Sequence, residues 1–247
     1  MIALKELHTK KGRDESGLFT VEGEKFIDEI PVEIEILRFL FSKDFADQKG
    51  LSEYENRAKC EVIRNSLFKK LADTVNPQGI IAVCKKPEVA PGSFENISAF
   101  VVIGECLSDP GNVGALMRTA AAVEADGFFL TEGSADPLSP KVIRASAGAA
   151  LRLPVVSNIC LEEALSYVRG FPVYGAHPKG EYLPYELNLA EPFSLVIGNE
   201  SRGLSDEAIA CATSLVRLPM ANATDSLNAS VAGSVLMYEA LRQRYNF

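Results

Sequence analysis

Polar side chains suited to ligand chemistry occupy three loops, each of which follows an apolar run and leads into a helix-like segment. They are Asn112 and Arg118 after the first run, Asn199 and Glu200 after the second, and Ser226 and Asn228 after the third. A strand, a polar loop and a helix N-terminus leave backbone N–H groups pointing at a ligand. A guanidinium adds a planar fork of donors that matches phosphate oxygens. The residue types therefore favour a ligand site, with Arg118 suited to an anionic group.

Each of these side chains also has a purely structural explanation. Asn112 and Ser226 are good helix caps. Glu200 is compatible with a surface carboxylate in a first helical turn, where the helix dipole favours it. Arg118 is compatible with a solvated helix residue. Taken singly, each loop fits an ordinary turn as well as a functional one.

The third loop leads into the last predicted helix, residues 228–244. Its cap is Asp225, Ser226 or Asn228, because all three side chains can accept from the first backbone N–H groups of a helix. Gly233 lies inside this helix, where glycine costs about 1 kcal/mol relative to alanine. We therefore expect another backbone to approach the helix closely at Gly233.

Two α/β domains are predicted to hold these loops. Residues 86–98 contain two prolines and a glycine between the apolar strands predicted at 79–84 and 100–103, and we interpret them as a linker. Residues 1–85 alternate between strand-like and helix-like segments and predict a small α/β sandwich. No catalytic constellation is evident in this first domain.

The second domain, residues 99–247, continues the alternation. Strands are predicted at 100–103, 127–130, 173–176, 194–197 and 215–220, and helices at 112–124, 140–151, 161–169, 206–212 and 228–244. Nearly continuous apolar strands separated by helices are typical of a mostly parallel sheet covered on both faces. Ligands bind beyond the carboxyl ends of such strands. All three polar loops are predicted to lie there.

The overall charge argues against a general nucleic-acid binder. The 25 Lys and Arg residues are outnumbered by 33 Asp and Glu residues, which gives a net charge of −8 and an isoelectric point of about 5.0. Neutralising phosphates requires clustered cations. Two basic groups keep a nucleic acid possible without pointing to one: Lys5, Lys10, Lys11 and Arg13 near the N-terminus, and Lys141, Arg144 and Arg152.

Composition also indicates the compartment. The five cysteines are odd in number and lack a C-x-x-C pair, which suits reduced thiols better than disulfides. The two histidines have no metal-ligand spacing, so no metal is expected. No apolar run approaches the roughly 20 residues of a membrane helix, and the N-terminus lacks the apolar core of a secretory signal. We expect a cytoplasmic protein without membrane association.

The order of the motifs is more specific than any one of them. The common nucleotide fingerprints G-x-G-x-x-G and G-x-x-x-x-G-K-[ST] are missing from the expected loops. The sequences DPGNVGALMRTA (109–120), LVIGNESRGLS (195–205) and LPM…DSLNASVA (218–232) stand there instead. In this order they resemble the motifs of the SpoU/TrmH family of S-adenosylmethionine-dependent RNA ribose 2′-O-methyltransferases, within the knotted SPOUT superfamily.

The resemblance extends over nearly the whole chain. RASAG (144–148), running on to Pro154, is similar to the conserved middle of the family. LFTVEG (18–23) stands where many members carry a similar phrase in an N-terminal L30e-like substrate-binding domain. The departures are Ala229, where Val is frequent, and Ser201, where Gly is frequent. Neither departure affects a presumed catalytic atom.

The resemblance implies a fold and a cofactor. The fold is an L30e-like α/β sandwich followed by a parallel-sheet SPOUT domain with a trefoil knot, a rare exception to the rule against threaded chains. The cofactor is S-adenosylmethionine, held in the second and third motif loops. The implied cofactor-binding residues are Ala176, Ile197, Gly198, Asn199, Glu200, Gly203, Leu218, Met220 and Leu227.

The resemblance also implies the catalytic residues. They are Arg118, Asn112, Glu200, Ser226 and Asn228. Arg118 is the family's usual candidate for deprotonating the hydroxyl, but a guanidinium keeps its proton far above neutral pH and is a poor base. We therefore favour a phosphate clamp that also stabilises the developing alkoxide. Asn112 would fix the RNA backbone, Glu200 would orient its neighbours, and Ser226 and Asn228 would lie near the reacting hydroxyl.

The implied partners are an RNA substrate and a second copy of the chain. Ribosomal RNA is favoured over transfer RNA by analogy with members that carry the L30e-like domain. The small residues of the last helix would permit close approach at a homodimer interface beside the active site. Two other interpretations stay open, a catalytically inactive RNA-binding scaffold and a small-molecule enzyme that uses another nucleotide. The sequence does not identify the nucleotide that is methylated.

Overall fold

The computed structural model describes residues 4–87, 100–221 and 227–245. The chain divides into two compact units. Unit 1 comprises Met1–Glu88 together with Leu138–Arg152, and unit 2 comprises Val89–Pro137 together with Leu153–Phe247. The predicted boundaries at 85 and 98 stay a prediction, and most of the predicted linker lies outside the described residues. Within the described parts, none of the helices combines the length and apolar character that a membrane crossing requires.

The sheet of unit 1 has four strands in the order β1, β4, β2, β3. They are β1 (Leu18–Glu22), β2 (Ile36–Ser42), β3 (Lys59–Ile63) and β4 (Ile80–Lys85). β4 is antiparallel to both neighbours, whereas β2 and β3 are parallel. Phe19, Phe39 and Phe41 point into one buried cluster on this sheet. The α/β class predicted for this region is confirmed.

Short helices complete the described part of unit 1. They are α1 (Lys10–Ser16), α2 (Glu24–Asp28), α3 (Lys43–Lys49), α4 (Ser52–Glu55), α5 (Asn65–Leu71) and α7 (Pro140–Ala145). The sequence predicts helices at 24–30, 51–59 and 66–73, each longer than the observed α2, α4 and α5, and it does not predict α1 and α3. α3 begins directly after a strand, where the Oγ of Ser42 accepts from the N–H of Phe45 at 3.2 Å. A strand-final serine that caps the next helix was the missed signal.

The segment Leu138–Arg152 contributes to the core of unit 1. Leu138, Ile143 and Leu151 are buried in the same cluster as the strand phenylalanines. Two ion pairs join the segment to the rest of the unit: Arg144 lies 2.7 Å from Asp73, and Arg152 lies 2.8 Å from Glu29. Two of the three cations in the basic group of Lys141, Arg144 and Arg152 are therefore paired with carboxylates.

The helix predicted over residues 140–151 is interrupted. α7 ends at Ala145, and a separate 3₁₀ turn covers Ala149–Leu151. Between them Ala147 and Gly148 have positive φ angles of 51° and 86°. A left-handed backbone cannot continue a right-handed helix, so the prediction of one continuous helix was wrong.

Unit 2 contains a six-stranded sheet in the order β10, β8, β9, β5, β6, β7. The strands are β5 (Phe100–Gly104), β6 (Gly127–Thr131), β7 (Val155–Ile159), β8 (Val173–Ala176), β9 (Phe193–Ile197) and β10 (Ser214–Val216). Every pairing is parallel, as predicted. β7 was not predicted, because it is an edge strand with exposed polar residues. β10 ends at Val216, four residues before the predicted end.

Helices cover both faces of this sheet. They are α6 (Pro110–Ala122), α8 (Leu161–Ser166), α9 (Asp206–Cys211) and α10 (Ala229–Tyr245). On one face, Val196 packs in a buried cluster that includes residues of α8 and α9. Ile197 points the opposite way, because successive strand residues alternate, and it meets α10 there. α6 and α10 contact each other, with the hydroxyls of Thr119 and Ser234 2.9 Å apart.

The close approach predicted at Gly233 involves side chains and not another backbone. A Cβ added to Gly233 would lie 2.3 Å from Cδ1 of Ile197 and 2.5 Å from Cδ2 of Leu116. Glycine is therefore required so that α10 can pack on β9 and α6. The backbone expected from the sequence is not among the three nearest neighbours of that position.

The packing of Leu138–Arg152 in unit 1 can be tested with Ile143→Ala. Ile143 is 2% exposed, and removing a buried isoleucine side chain costs about 2–5 kcal/mol. We expect this variant to lower the midpoint of unfolding, measured by circular dichroism on the full chain. Leu67→Ala is the matched control, because Leu67 is 47% exposed in the same unit. Equal losses in the two variants would contradict this packing.

Candidate active site

A cavity of about 330 Å³ opens in unit 2 at the carboxyl ends of β8 and β9. Its described lining comes from the residues after β8, the loop after β9, residues 216–220 at and beyond the end of β10, and residues 227–236 at the start of α10. Its lining residues are Ala176, His177, Pro178, Ile197, Gly198, Asn199, Glu200, Ser201, Arg202, Gly203, Val216, Leu218, Met220, Leu227, Ala229, Ala232 and Leu236. The volume lies in the range of about 300–1,000 Å³ that is typical of small-molecule sites.

All nine residues predicted to bind the cofactor line this one cavity. They are Ala176, Ile197, Gly198, Asn199, Glu200, Gly203, Leu218, Met220 and Leu227. They come from three separate stretches of the sequence, and the parallel sheet brings these stretches together. Their role in binding a cofactor stays a prediction.

The loop after β9 is compact because its backbone bonds to itself. The N–H of Asn199 donates to the carbonyl of Gly203 at 3.0 Å, and the N–H of Gly203 donates back at 2.8 Å. A Cβ at Gly198 would lie 2.3 Å from the carbonyl carbon of Gly203. Only glycine therefore fits at position 198. The Oδ1 of Asn199 also accepts from the N–H groups of Ser201 and Arg202, at 3.0 and 3.1 Å.

Three of the predicted catalytic residues form a hydrogen-bonded chain. The Nδ2 of Asn112 donates to Oε1 of Glu200 at 3.1 Å. The Nδ2 of Asn228 donates to Oδ1 of Asn112 at 3.1 Å. Side chains from all three motif loops thus meet, although their positions in the sequence are 88 and 116 residues apart. The arrangement fixes which way each amide faces.

The carboxylate of Glu200 also bonds to the loop after β5. It accepts from the N–H of Asp109 at 3.1 Å and, over longer distances, from the N–H and hydroxyl of Ser108. Burial by itself raises the pKa of this carboxyl, but hydrogen bonds from Asn112 and from the backbone N–H groups of Glu200, Asp109 and Ser108 hold the pKa below its ordinary value. Glu200 is therefore a carboxylate at neutral pH and an unsuitable general acid.

The structural explanations for Asn112 and Glu200 were wrong. Asp109 caps α6, since its Oδ1 accepts from the N–H of Asn112 at 2.9 Å. Glu200 lies six residues before the first residue of α9, Asp206, and is not in a helical turn. Asn228 does act as a cap, because its Oδ1 accepts from the N–H groups of Ser230 and Val231.

Of the other two predicted catalytic residues, only Arg118 is described, and it is not part of this chain of hydrogen bonds. Arg118 is exposed on α6, and its guanidinium has no hydrogen-bond or ion-pair partner among the described residues. It is not one of the residues that line the cavity. Ser226 and the alternative cap Asp225 lie outside the described residues. The structure therefore brings Asn112, Glu200 and Asn228 together and leaves Arg118 apart from them.

Several residues at the site were not predicted. His177 and Arg202 are titratable side chains in the lining, and Val216 and Leu236 supply apolar wall. Leu218 and Met220 were implied by the resemblance. Val216 precedes Leu218 by two residues in the strand predicted at 215–220, so strand alternation could have indicated it as well. Leu236 lies two turns into α10, and no local pattern in the sequence indicates that it faces a cavity.

Comparison with known proteins identifies the family. The profile of the SpoU rRNA Methylase family matches residues 99–238, which is more than half of the chain. The chain belongs to the SpoU rRNA Methylase family. A second profile, described as the MRM3-like substrate binding domain, matches residues 2–82 of this SpoU-family protein. The resemblance inferred from the motifs is confirmed.

Individual SpoU-family relatives match along almost the entire chain. The 23S rRNA (guanosine(2553)-2′-O)-methyltransferase RlmP of Bacillus subtilis (strain 168) is 32% identical over 95% of this chain and 92% of its own length. The SpoU methyltransferase AviRb of Streptomyces viridochromogenes, solved in complex with the cofactor AdoMet, superimposes with a TM-score of 0.89 and 26% identity, covering 98% of this chain and 97% of AviRb. An AdoMet-bound rRNA methyltransferase of Sinorhizobium meliloti superimposes with a TM-score of 0.85 and 26% identity, covering 97% of this chain and 93% of its own.

The bonding of Glu200 predicts a stability that depends on pH. A carboxyl whose pKa is lowered by folding stabilises the protein above its unfolded pKa and loses that effect as the pH falls through the folded value. At pH 7, Glu200→Gln should therefore lower the melting temperature by about 2–6 °C, equivalent to roughly 1–2 kcal/mol. The difference in melting temperature between this variant and the parent should disappear as the pH drops below 4.5, the ordinary pKa of a glutamate carboxyl.

The control for this experiment is Glu181→Gln. Glu181 is exposed in the same unit, and no hydrogen bond engages its carboxylate within the described residues. Differential scanning calorimetry across the pH range measures both variants. A constant difference between Glu200→Gln and the parent from pH 7 to pH 3 would contradict the assigned bonds.

Proposed function

We propose that this protein transfers a methyl group from S-adenosylmethionine to a ribose 2′-hydroxyl of ribosomal RNA. The observation that carries the proposal is the cavity lined by nine predicted cofactor residues, with Asn112, Glu200 and Asn228 bonded together at its edge. Family membership supports the reaction class. The likeness to RlmP, a 23S rRNA 2′-O-methyltransferase, supports the substrate, and the likeness to AviRb, a SpoU methyltransferase solved with AdoMet, supports the cofactor.

The chemistry of the cavity fits this cofactor. Val216, Leu218 and Leu236 provide an apolar wall suited to an adenine ring, and the backbone of residues 198–203 provides polar groups. The side chain of Glu200 gives the lining a negative charge suited to a sulfonium. When bound, S-adenosylmethionine supplies an electrophilic methyl group, so the protein must supply alignment and charge stabilisation.

The bonded side chains would provide that alignment. Asn112 uses one N–H for Glu200 and its carbonyl for Asn228, which leaves its second N–H for the RNA. Asn228 donates only one of its two side-chain N–H groups to Asn112, so its second N–H is also available to the RNA. Glu200 is itself held by the backbone of the loop after β5. The amides of Asn112 and Asn228 therefore cannot rotate without breaking hydrogen bonds in this chain. We propose that these amides hold the ribose and its phosphate.

Arg118 would stabilise negative charge on the RNA. Its guanidinium is exposed and without a partner among the described residues, so binding a phosphate would break no existing ion pair. A guanidinium stays protonated at neutral pH and binds phosphate oxygens in a bidentate manner. We propose that Arg118 clamps a phosphate and stabilises the alkoxide that develops at the 2′-oxygen, whose proton passes to solvent as the methyl group is transferred and S-adenosylhomocysteine leaves.

Unit 1 would select the RNA. The match of residues 2–82 to a substrate binding domain supports this role. Deleting residues 1–85 would be a poor test, because it would expose Leu138, Ile143 and Leu151, whose partners lie in the deleted part. Substitution of exposed side chains in unit 1, with cofactor affinity as the control, is the appropriate test.

The protein would act as a homodimer through α10. Val231, Val235 and Tyr238 are 48%, 47% and 54% exposed and follow each other at intervals of four and three residues. This spacing places all three on one stripe of the helix. An exposed apolar stripe is a frequent mark of a protein interface. A dimer formed here would lie beside the cavity, which α10 also lines.

Two further features of the family are proposed for this chain. The C-terminal segment would be threaded as a trefoil knot, in keeping with the parallel SPOUT-like sheet. The protein would work in the cytoplasm, where its five free thiols stay reduced.

The proposal is tested by methyl transfer from radiolabelled S-adenosylmethionine to protein-free ribosomal RNA and, separately, to transfer RNA. Both RNAs should come from cells that lack the gene. We expect label in ribosomal RNA, at a ribose that resists alkaline cleavage at its 3′ side. Label confined to transfer RNA would contradict the substrate, label in a base would contradict the reaction, and cofactor binding without transfer would support an inactive scaffold.

Arg118→Ala should lower kcat/KM by about 10²–10³, the usual cost of removing one group that stabilises developing charge. The dissociation constant for S-adenosylmethionine should stay within about twofold, because Arg118 does not line the cavity. Arg169→Ala is the control, since Arg169 is also exposed in unit 2 without a described partner. Full activity of Arg118→Ala would refute the assignment.

Mixed dimers would show which subunit Arg118 serves. Arg118→Ala is combined with a Gly198→Ala chain, whose cavity loop cannot close because of the short contact to Gly203. If Arg118 reaches the site of the partner, the mixture should recover activity that neither variant has alone. If it serves its own site, mixing should recover none.

Val235→Glu should convert the dimer into a monomer, because a carboxylate buried in an apolar interface without a partner is costly. Multi-angle light scattering during size-exclusion chromatography measures the mass. Val62→Glu is the matched control, because Val62 is 48% exposed but lies on β3 in unit 1. A dimer that persists in Val235→Glu would place the interface elsewhere.

A further inference from the structure

Glu105 is a buried carboxylate directly after β5. Glu105 is only 6% exposed to solvent. Oε2 accepts from the N–H of Ser205 at 3.0 Å, and Oε1 accepts from the hydroxyl of the same serine. Burying a carboxylate is unfavourable unless it is well hydrogen-bonded. This carboxylate therefore depends on Ser205, a residue 100 positions later in the chain.

The same residue also bonds to the other end of the cavity loop. The backbone N–H of Glu105 donates to the carbonyl of Ile197 at 2.8 Å. Ile197 immediately precedes the loop, and Ser205 follows it. Glu105 therefore contacts both ends of the segment 198–204 without lining the cavity itself.

The hydroxyl of Ser205 makes two hydrogen bonds. It donates to Glu105 and accepts from the N–H of Ala208 at 3.0 Å, so Ser205 also caps α9. The middle of the loop has separate attachments, through Asn199 to the carbonyl of Cys106 at 2.8 Å and through Glu200 to Asp109. These attachments hold the middle of the loop, whereas the hydrogen bonds of Glu105 reach its two ends.

We infer that Glu105 is a positioning residue for cofactor binding, which acts by fixing the span of the loop that lines the cavity. This inference rests on the proposed function, because it requires S-adenosylmethionine to bind in this cavity. Glu105 touches neither substrate nor cofactor. Its loss should therefore weaken cofactor binding more than it slows methyl transfer at saturating cofactor.

The first test is Glu105→Leu in the full chain, with S-adenosylmethionine binding measured by isothermal titration calorimetry well below the melting temperature. Leucine has a similar volume but no acceptor. We expect the dissociation constant to rise about tenfold or more, the usual effect of losing hydrogen bonds to a charged group. KM for the cofactor should rise by a similar factor, while kcat at saturating cofactor changes less than threefold by this reasoning.

The matched control is Glu132→Leu. Glu132 directly follows β6, the strand beside β5, but it is exposed and its carboxylate has no hydrogen-bond partner among the described residues. The dissociation constant of Glu132→Leu for S-adenosylmethionine should equal that of the parent. A loss of global stability alone would lower the melting temperature without changing the affinity of the folded protein.

A second pair of variants keeps the test valid if Glu105→Leu fails to fold. Ser205→Asp retains a good cap for α9 but places a second carboxylate against Glu105, so the loop end should move and cofactor affinity should fall about tenfold. Combining it with Glu105→Gln should restore affinity to within about threefold of the parent, because the new amide donates to the new carboxylate.

The outcomes separate the inference from the proposed function. If the parent binds S-adenosylmethionine but Glu105→Leu binds it equally well, the inference is overturned. Failure of Glu105→Gln to restore the Ser205→Asp protein, or an equal loss in Glu132→Leu, would overturn it as well. A parent that does not bind the cofactor would overturn the proposed function and this inference with it.

Discussion

The site depends on hydrogen bonds between the loops that leave two neighbouring parallel strands. β5 and β9 end at paired positions, Gly104 beside Ile197. Beyond this point, Asn199 bonds to the carbonyl of Cys106, and Glu200 bonds to the backbone of Asp109. Because the sheet register sets where both loops begin, short polar side chains are enough to join them. The shape of the cavity loop and the orientation of the amides at its edge follow from this junction.

Much of this arrangement could be predicted from the sequence, because strand ends and polar loops are local patterns. Continuous apolar runs such as residues 100–103 indicated a parallel sheet, and the order of the motifs pointed to the nine cofactor residues. β7 was missed because an edge strand does not require a continuous apolar run. Its Ser157, for example, is exposed. Glu105 was missed for a different reason. A charged residue after a strand has no local partner, and its bond to Ser205 exists only in the folded chain.

The packing of segment Leu138–Arg152 shows a second limit of sequence reasoning. The domain predicted at 99–247 includes this segment and stays a prediction, but the apolar residues of the segment pack in unit 1. The pattern of Leu138, Ile143 and Leu151 reports that one side of the segment is buried, but not against which partner. Its ion pairs with Asp73 and Glu29 add specificity to that packing. Unit 1 therefore lacks part of its core when the chain is cut after residue 85.

The central claim is that S-adenosylmethionine binds where the loop after β9 is bonded to the loop after β5. A crystal structure of the full chain grown with the cofactor tests this most directly. The account predicts electron density for the cofactor against the backbone of residues 198–203, with Glu200 still bonded to Asn112. Cofactor bound elsewhere while this cavity stays empty, or bound here with the two loops separated, would contradict the account.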